Sequence, residues 1–210
     1  MITHLEDYIA QFSEPEGEYL HRLWREINLK TTHGHMASGH LQGRLLYMLT
    51  RMIRPTNVLE LGTFGGYSAI CIAQGLDDGA HLWTIEKNDE MEDFARKWID
   101  GSDVSEKITL IIGDALKEAP KLNTMFDLVF LDSDKRTYVE AYEMAMSCLR
   151  SGGFIVADNT LWDGHVTDIA YERDKQTNGI KAFNEHVAQD SRTEQVILPL
   201  RDGLTIIRKK

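Results

Sequence analysis

The sequence predicts an α/β fold built on a mostly parallel sheet with helices on both faces, led by a helical N-terminal extension. Three observations carry this expectation. Five short apolar runs, at residues 58–61, 81–85, 108–112, 126–131 and 154–157, are each followed by a helix-length segment, as in strands joined by right-handed crossovers. Their apolarity is nearly continuous, whereas a strand covered on one face only would alternate. Two last runs, at 195–198 and 204–207, are separated only by Pro199-Leu-Arg-Asp-Gly203, a hairpin distance that predicts an antiparallel edge and a seventh, reversed strand.

The elements follow in order. Leu5, Tyr8, Ile9 and Phe12, then Tyr19, Leu20, Leu23, Trp24 and Ile27, recur every three or four residues and predict two helices, the second starting at Ser13-Glu-Pro15. The small and glycine residues of 31–39 predict a loop. Ser38 is placed to cap a helix over 41–53, which Pro55 stops. Residues 1–55 are therefore expected to form an extension packed on a core of residues 56–210, in one structural domain. A helix over 69–74 follows the first core strand, and Lys135 opens another that runs to Cys148. The basic end, Arg208-Lys-Lys, reads as a solvated tail.

A chain of 210 residues fits one domain at about 150 residues each. Its 42% apolar and 27% charged residues are globular proportions, which excludes disorder. With 23 Lys and Arg against 33 Asp and Glu, the net charge of −10 argues against a nucleic-acid partner, since a phosphate backbone demands clustered cations. Cys71 and Cys148 lack zinc or redox spacing and are expected to be buried free thiols. The longest apolar runs are five residues, far below the ~20 of a spanning helix, so no membrane partner is expected. The N-terminus has no basic and apolar leader pattern, and a reducing cytoplasm is the expected compartment.

The chemistry starts after the first core strand, at Glu60-Leu-Gly62-Thr-Phe-Gly65-Gly66-Tyr67-Ser68. Glycines let backbone approach a ligand, and the helix that follows offers N–H groups and a positive dipole end. The spacing of Gly62, Gly65 and Gly66 departs from G-x-G-x-x-G, which disfavours a nicotinamide oxidoreductase. A plain strand-to-helix turn is the bland alternative. Glu86, ending the second strand, is placed to bind both ribose hydroxyls of a nucleoside, or else to cap a helix. At the third strand tip, Asp114 and Ala115 would meet an adenine, with Asp114 equally suited to an N-cap.

The segment Val-Leu-Glu60-Leu-Gly-Thr-Phe-Gly-Gly-Tyr-Ser68 resembles motif I of S-adenosylmethionine-dependent methyltransferases, specifically the caffeoyl-CoA and catechol O-methyltransferase group. The resemblance continues through Phe-Leu-Asp132-Ser-Asp134-Lys135-Arg-Thr-Tyr138 and Ala-Asp158-Asn159-Thr-Leu-Trp162, and ends in Asp202-Gly-Leu-Thr-Ile-Ile-Arg. It covers residues from about 30 to the end. It implies a Rossmann-like methyltransferase fold and a homodimer. It also implies an S-adenosylmethionine site formed by Met36, Ser38, Glu60, Gly62, Thr63, Ser68, Glu86, Asp114, Ala115 and Asp132.

Asp132 ends the fourth strand and Asp158-Asn159 the fifth, so neighbouring strands would assemble three oxygen donors. Such a hard set suits Mg²⁺, Mn²⁺ or Ca²⁺. An ordinary turn after the strand is the alternative for Asp158-Asn159. The resembling family holds its divalent ion with these positions and uses the lysine three residues after the first aspartate in deprotonating the acceptor, a place that Lys135 occupies here. The cation would bind both oxygens of a catechol-like acceptor, and a lysine of depressed pKa would take the proton before attack on the sulfonium methyl. Lys135 as a solvated charge is the alternative. Asp134 is placed to cap the next helix, to orient water or to contact the acceptor, with capping ranked first. Trp162, Asp163 and His165 are expected to line the acceptor pocket.

His33, His35 and His40 are close in sequence but lack a fourth ligand, which disfavours a soft-metal site. Phe64 and Tyr67 are read as core ahead of a cation–π role. The expected function is divalent-metal-dependent O-methylation of a small phenolic acceptor with vicinal hydroxyls. The alternative is a non-catalytic S-adenosylmethionine- or metal-binding module of the same fold, against which stands the presence of Asp132, Lys135 and Asn159 together.

Overall fold

The computed structural model of the chain describes residues 4–32 and 34–210. Helices α1 (His4–Gln11), α2 (Glu18–Lys30) and α3 (Gly39–Ile53) precede a seven-stranded sheet: β1 (Asn57–Leu61), β2 (His81–Glu86), β3 (Ile108–Ile112), β4 (Phe126–Leu131), β5 (Leu149–Asp158), β6 (Thr193–Leu198) and β7 (Leu204–Lys209). Between the strands run α4 (Tyr67–Gly75), α5 (Glu92–Asp100), α6 (Ala115–Glu118), α7 (Tyr138–Cys148) and α8 (Lys175–Gln189). The strand order is β3-β2-β1-β4-β5-β7-β6, parallel from β3 to β5, with β7 antiparallel to both neighbours.

Side chains of the five parallel strands enter two cores, one on each face, which is why their runs read as continuously apolar. Val58 joins α2–α5 on one face, and Leu59 and Leu61 join α7 and α8 on the other. Asp127 is the buried exception within β4: its carboxylate accepts from the backbone N–H groups of Thr56 (2.5 Å) and Asn57 (3.0 Å) and pairs with Arg150 (2.6 Å). The sheet register shifts beside it, between Phe126 and Leu128.

Several boundaries differ from the expectation. The second helix begins at Glu18 and not at Ser13-Glu-Pro15, because Gly17 holds a left-handed φ of 84° that breaks any earlier start. Ser38 precedes α3 without a side-chain cap, and its carbonyl is bound by Arg201. β5 starts at Leu149 and is ten residues long. The reversed β7 lies inside the sheet, leaving β6 as the edge. The basic end is anchored and not a solvated tail: Lys209 Nζ donates to the carbonyls of Met146 (2.8 Å) and Leu149 (2.6 Å), and Arg208 pairs with Glu194 (2.7 Å). Both cysteines are free, Cys71 buried and Cys148 half-buried. Among the described residues no helix is long and apolar enough to cross a membrane.

All five parallel strands end on the same side. β1 and β4 are neighbours whose following segments part to opposite faces, and the crevice that opens there is the usual ligand position of such sheets.

Candidate active site

The crevice has two halves. On the first, the backbone turns sharply after β1. Gly62 N donates to Ile85 O and Asp132 N to Leu61 O, both at 2.9 Å, which draws three strand ends together. A Cβ on Gly62 would lie 1.9 Å from Asp132 O, and its φ is 105°, so glycine alone fits. The loop then feeds α4, whose first residues, Tyr67 and Ser68, line the crevice.

Glu86, at the end of β2, holds this loop. Its Oε2 accepts from Phe64 N at 2.7 Å and its Oε1 from Asn88 N at 2.8 Å. A carboxylate has about four acceptor positions, so each oxygen retains one for a further hydroxyl. Gly113 N donates to Glu86 O at 2.8 Å, which places Asp114 and Ala115 beside the same tip. Asp114 caps α6 through Leu116 N (3.1 Å) and pairs with Lys87 (3.4 Å), so its N-cap reading holds. Met36, Ser38, Gly62, Thr63, Ser68 and Asp132 line one small crevice over the loop.

Glu60 lies beneath, fully buried. Its Oε2 accepts from Thr84 at 2.6 Å, and Thr84 meets Thr63 at 2.5 Å, whereas Oε1 is buried with no hydrogen-bond partner. Burial pushes its carboxyl up to about 8; the hydroxyls of Ser68 and Thr84 oppose the rise, and the charges of Asp132 and Glu86 add to it. Tyr67 is core, as expected, with its hydroxyl on the Glu16 carboxylate, and Phe64 packs against the same core.

The second half sits on β4 and β5. Leu131 pairs with Ala157 in the parallel register, so Asp132 and Asp158 follow side by side. Lys135 is buried at 5% exposure, its Nζ 2.8 Å from Asp132 Oδ1 and 2.9 Å from Tyr138 Oη. The solvated-charge reading is thereby excluded. Tyr138 Oη in turn lies 2.9 Å from Leu131 O and 2.8 Å from Asp158 O, sharing its one proton between the ends of both strands. Asp158 is pushed up to about 7, first by burial and then by the Asp132 carboxylate, with Lys135 opposing. Asn159 follows in a left-handed conformation, φ 58°.

Asp134 caps the turn into α7, accepting from Arg136 N (3.1 Å) and Nε (2.8 Å); the Arg136 guanidinium holds its carboxyl below the usual range. Capping is thus the reading its bonds follow. Trp162 (φ 48°) packs on the α7–α8 core and Asp163 (φ 51°) is exposed, while His165 stacks on Tyr171 at 3.6 Å between centroids. His40 Nε2 meets Glu14 O at 2.6 Å; His33 and the side chain of His35 lie outside the described residues.

The sequence reading missed Gln42, which donates to Asp158 Oδ2 at 2.6 Å, and Asp202, which accepts from Asn159 Nδ2 at 2.7 Å. The available signal for Gln42 was a polar residue on the buried stripe of α3, beside Gly43, Leu46 and Thr50. Tyr138 stands one helical turn after Lys135. A separate cluster of Glu143, His186 and Asp190 is occupied by Arg192, which is 2.7 Å from Glu143 and 2.6 Å from Asp190.

Comparison with known proteins agrees with this geometry. Residues 10–210 match the profile of an O-methyltransferase family. Tricin synthase 2 of Oryza sativa subsp. japonica is 32% identical over 205 residues, spanning 92% of this chain and 70% of that protein. Caffeoyl-CoA O-methyltransferase of Petroselinum crispum is 30% identical over 200 residues, 88% of this chain and 81% of that one. Among solved structures, the O-methyltransferase TomG from Streptomyces achromogenes, in complex with S-adenosylmethionine, superposes with a TM-score of 0.89 at 28% identity, covering 98% of this chain and 96% of its own. An O-methyltransferase from Bacillus cereus, in complex with S-adenosylhomocysteine, gives 0.90 at 26%, with 99% and 98% covered. Motif, strand order and the profile match over nearly the whole length lead to one conclusion: the chain belongs to the O-methyltransferase family that includes the caffeoyl-CoA O-methyltransferases.

Proposed function

We propose that the protein moves the methyl group of S-adenosylmethionine to one hydroxyl of a small catechol-like acceptor, with a divalent cation, Mg²⁺ first among candidates, held by Asp132, Asp158 and Asn159. The observation that carries the reading is the pairing of Asp132 and Asp158 at adjacent strand ends with Lys135 on Asp132.

The residues fit both groups. On the donor side, Glu86 keeps acceptor positions for ribose hydroxyls, and the orphaned Glu60 Oε1 suits a cationic or N–H donor. On the acceptor side, two close carboxylates and an amide oxygen are a hard donor set, and burial together with the neighbouring Asp132 charge raises the Asp158 carboxyl. Bound there, a divalent cation supplies Lewis-acid polarisation of the acceptor's oxygens.

The chain's own residues do the rest. Asp132, Asp158 and Asn159 fix the position of the acceptor's two oxygens relative to the donor loop, which removes much of the entropic barrier of a two-substrate step. Lys135 Nζ takes the hydroxyl proton, with Tyr138 Oη holding the amine in place. The freed oxygen forms a bond to the methyl carbon as the carbon–sulfur bond breaks, and S-adenosylhomocysteine leaves with the electron pair.

Incubating the protein with methyl-labelled S-adenosylmethionine, Mg²⁺ and a panel of catechols tests this. Label should pass to a catechol, stop in EDTA and return with Mg²⁺. Undiminished transfer in EDTA would end the cation reading, and transfer to monohydroxy phenols alone would end the catechol reading.

A further inference from the structure

The loop after β5 and the turn between β6 and β7 are joined through their backbones. Thr160 N donates to Gly203 O at 3.0 Å, and Leu161 N and Trp162 N both donate to Asp202 O, at 2.8 and 2.9 Å. A Cβ on Gly203 would stand 2.4 Å from Leu161 N, so this approach depends on glycine. From the turn, two adjacent side chains reach toward the two candidate ligands of β5. Asp202 Oδ2 accepts from Asn159 Nδ2 at 2.7 Å, and its Oδ1 is buried with no hydrogen-bond partner. Arg201 Nη1 donates to Gln42 Oε1 at 3.0 Å, and Gln42 Nε2, on a side chain 1% exposed, donates to Asp158 Oδ2 at 2.6 Å.

These bonds have a direction fixed by chemistry. A carboxylate only accepts, so Asp202 draws the NH₂ of Asn159 toward itself and turns the carbonyl oxygen away from the β6–β7 turn. That oxygen is the atom an asparagine offers to a hard cation. A guanidinium only donates, so Arg201 holds Gln42 Oε1 and commits the Gln42 NH₂ to Asp158. One oxygen of Asp158 is thereby pinned, and the carboxylate cannot rotate freely.

Resting on the cation reading above, we propose that Asp202 and Gln42 are positioning residues that hold Asn159 and Asp158 in the orientation in which their oxygens bind a divalent cation. The β6–β7 turn serves both, Asp202 directly and Gln42 through Arg201. Its Asp-Gly pair thus has a task beyond closing a hairpin.

The test is calorimetric titration of Mn²⁺ into the metal-free full-length protein saturated with S-adenosylhomocysteine, with Tm recorded for each variant. Asp202→Ala and Gln42→Leu should each weaken Mn²⁺ by about 10-fold or more, the usual scale for a partner of a metal ligand. Asp202→Asn removes the same charge as Asp202→Ala but keeps an acceptor for Asn159 Nδ2, and should retain clearly more affinity. S-adenosylhomocysteine affinity should stay at the wild-type value throughout. Equal losses in Asp202→Asn and Asp202→Ala would assign the effect to charge and overturn the positioning role, as would unchanged Mn²⁺ affinity in Asp202→Ala and Gln42→Leu. Asp158→Ala separates the two levels: if it binds Mn²⁺ as the wild type does, the cation reading itself has failed and this inference falls with it.

Discussion

The two halves of the crevice are built on opposite principles. Around β1 and β2 the polar groups are mostly satisfied within the protein: Glu86 takes two backbone N–H groups, and Thr63, Thr84 and Glu60 form a chain of bonds. Around β4 and β5, two carboxylates lie side by side with Lys135 on one of them, and burial and the Asp132 charge push the Asp158 carboxyl up. Backbone strain is divided in the same way. Of the described non-glycine residues with positive φ, Asn159, Trp162, Asp163 and Arg201 surround the second half, against Phe64 alone on the first. Each such residue costs about 1–3 kcal/mol and persists only where surrounding contacts determine it. The first half is held together largely by its own hydrogen bonds, whereas the second gathers two close carboxylates and most of the positive-φ residues near the crevice.

The sharpest way to break this comparison is to remove the charge of the second half. Asp158→Ala should lower catechol turnover by about a thousandfold or more, the several kcal/mol that Lewis-acid stabilisation contributes, and leave S-adenosylhomocysteine binding close to wild type. Calorimetry and initial rates on one preparation decide it; a parallel loss of nucleoside affinity would mean that the two halves are not separable.

Lys135→Ala should have a smaller effect, lowering kcat by about 100-fold with less change in KM, as for loss of a general base. More acidic catechols should suffer less, because they ionise without help. Equal losses across the series would leave Lys135 only the role of holding Asp132.

On the first half, Glu86→Ala should weaken S-adenosylhomocysteine by at least about 1.5 kcal/mol, the low end for hydrogen bonds to a charged group. Unchanged affinity by calorimetry would remove Glu86 from the donor site. The affinity for Mn²⁺ should stay the same, sharpening the contrast with Asp158→Ala.

The last effect concerns pH and acts on the stability of the fold. Glu60 is held neutral in the fold, raised from its ordinary 4.5 to about 8 by burial. Between those values the folded chain binds more protons than the unfolded one, so this residue makes the ligand-free protein less stable as pH rises, by up to about 1.4 kcal/mol per unit. Glu60→Gln should flatten the slope of urea-unfolding free energy between pH 5.5 and 8. Parallel slopes for variant and wild type would show that Glu60 is ionised throughout.

The parts that could be read in advance are those whose signals are local. Continuous apolarity marks the five parallel strands because neighbours on one strand enter opposite cores, as Val58 and Leu59 do. The glycine loop and the spacing of Asp132 to Lys135 are each contained within a few residues. The hairpin and its reversed last strand were legible too, but which of its two strands lies inside the sheet was not. β6 carries Glu194 and Gln195 and is mostly exposed, whereas β7 is mostly buried, and this contrast in burial puts β7 inside.

The sequence by itself determined the fold class, the glycine loop after β1 and the carboxylates that follow β4 and end β5. Periodicity and motif spacing are properties of residues near one another along the chain. The tertiary structure alone decided that Gln42, 116 residues from Asp158, would pin that carboxylate, and that Asp202, 43 residues from Asn159, would orient its amide. Local signals mark Gln42 as a polar residue on a buried stripe and Asp202 as part of a motif, but not the groups that each would meet. They meet because the sheet order sets β7 beside β5 and packing brings the buried face of α3 against their ends, and a directional hydrogen bond exists only once both groups are in place.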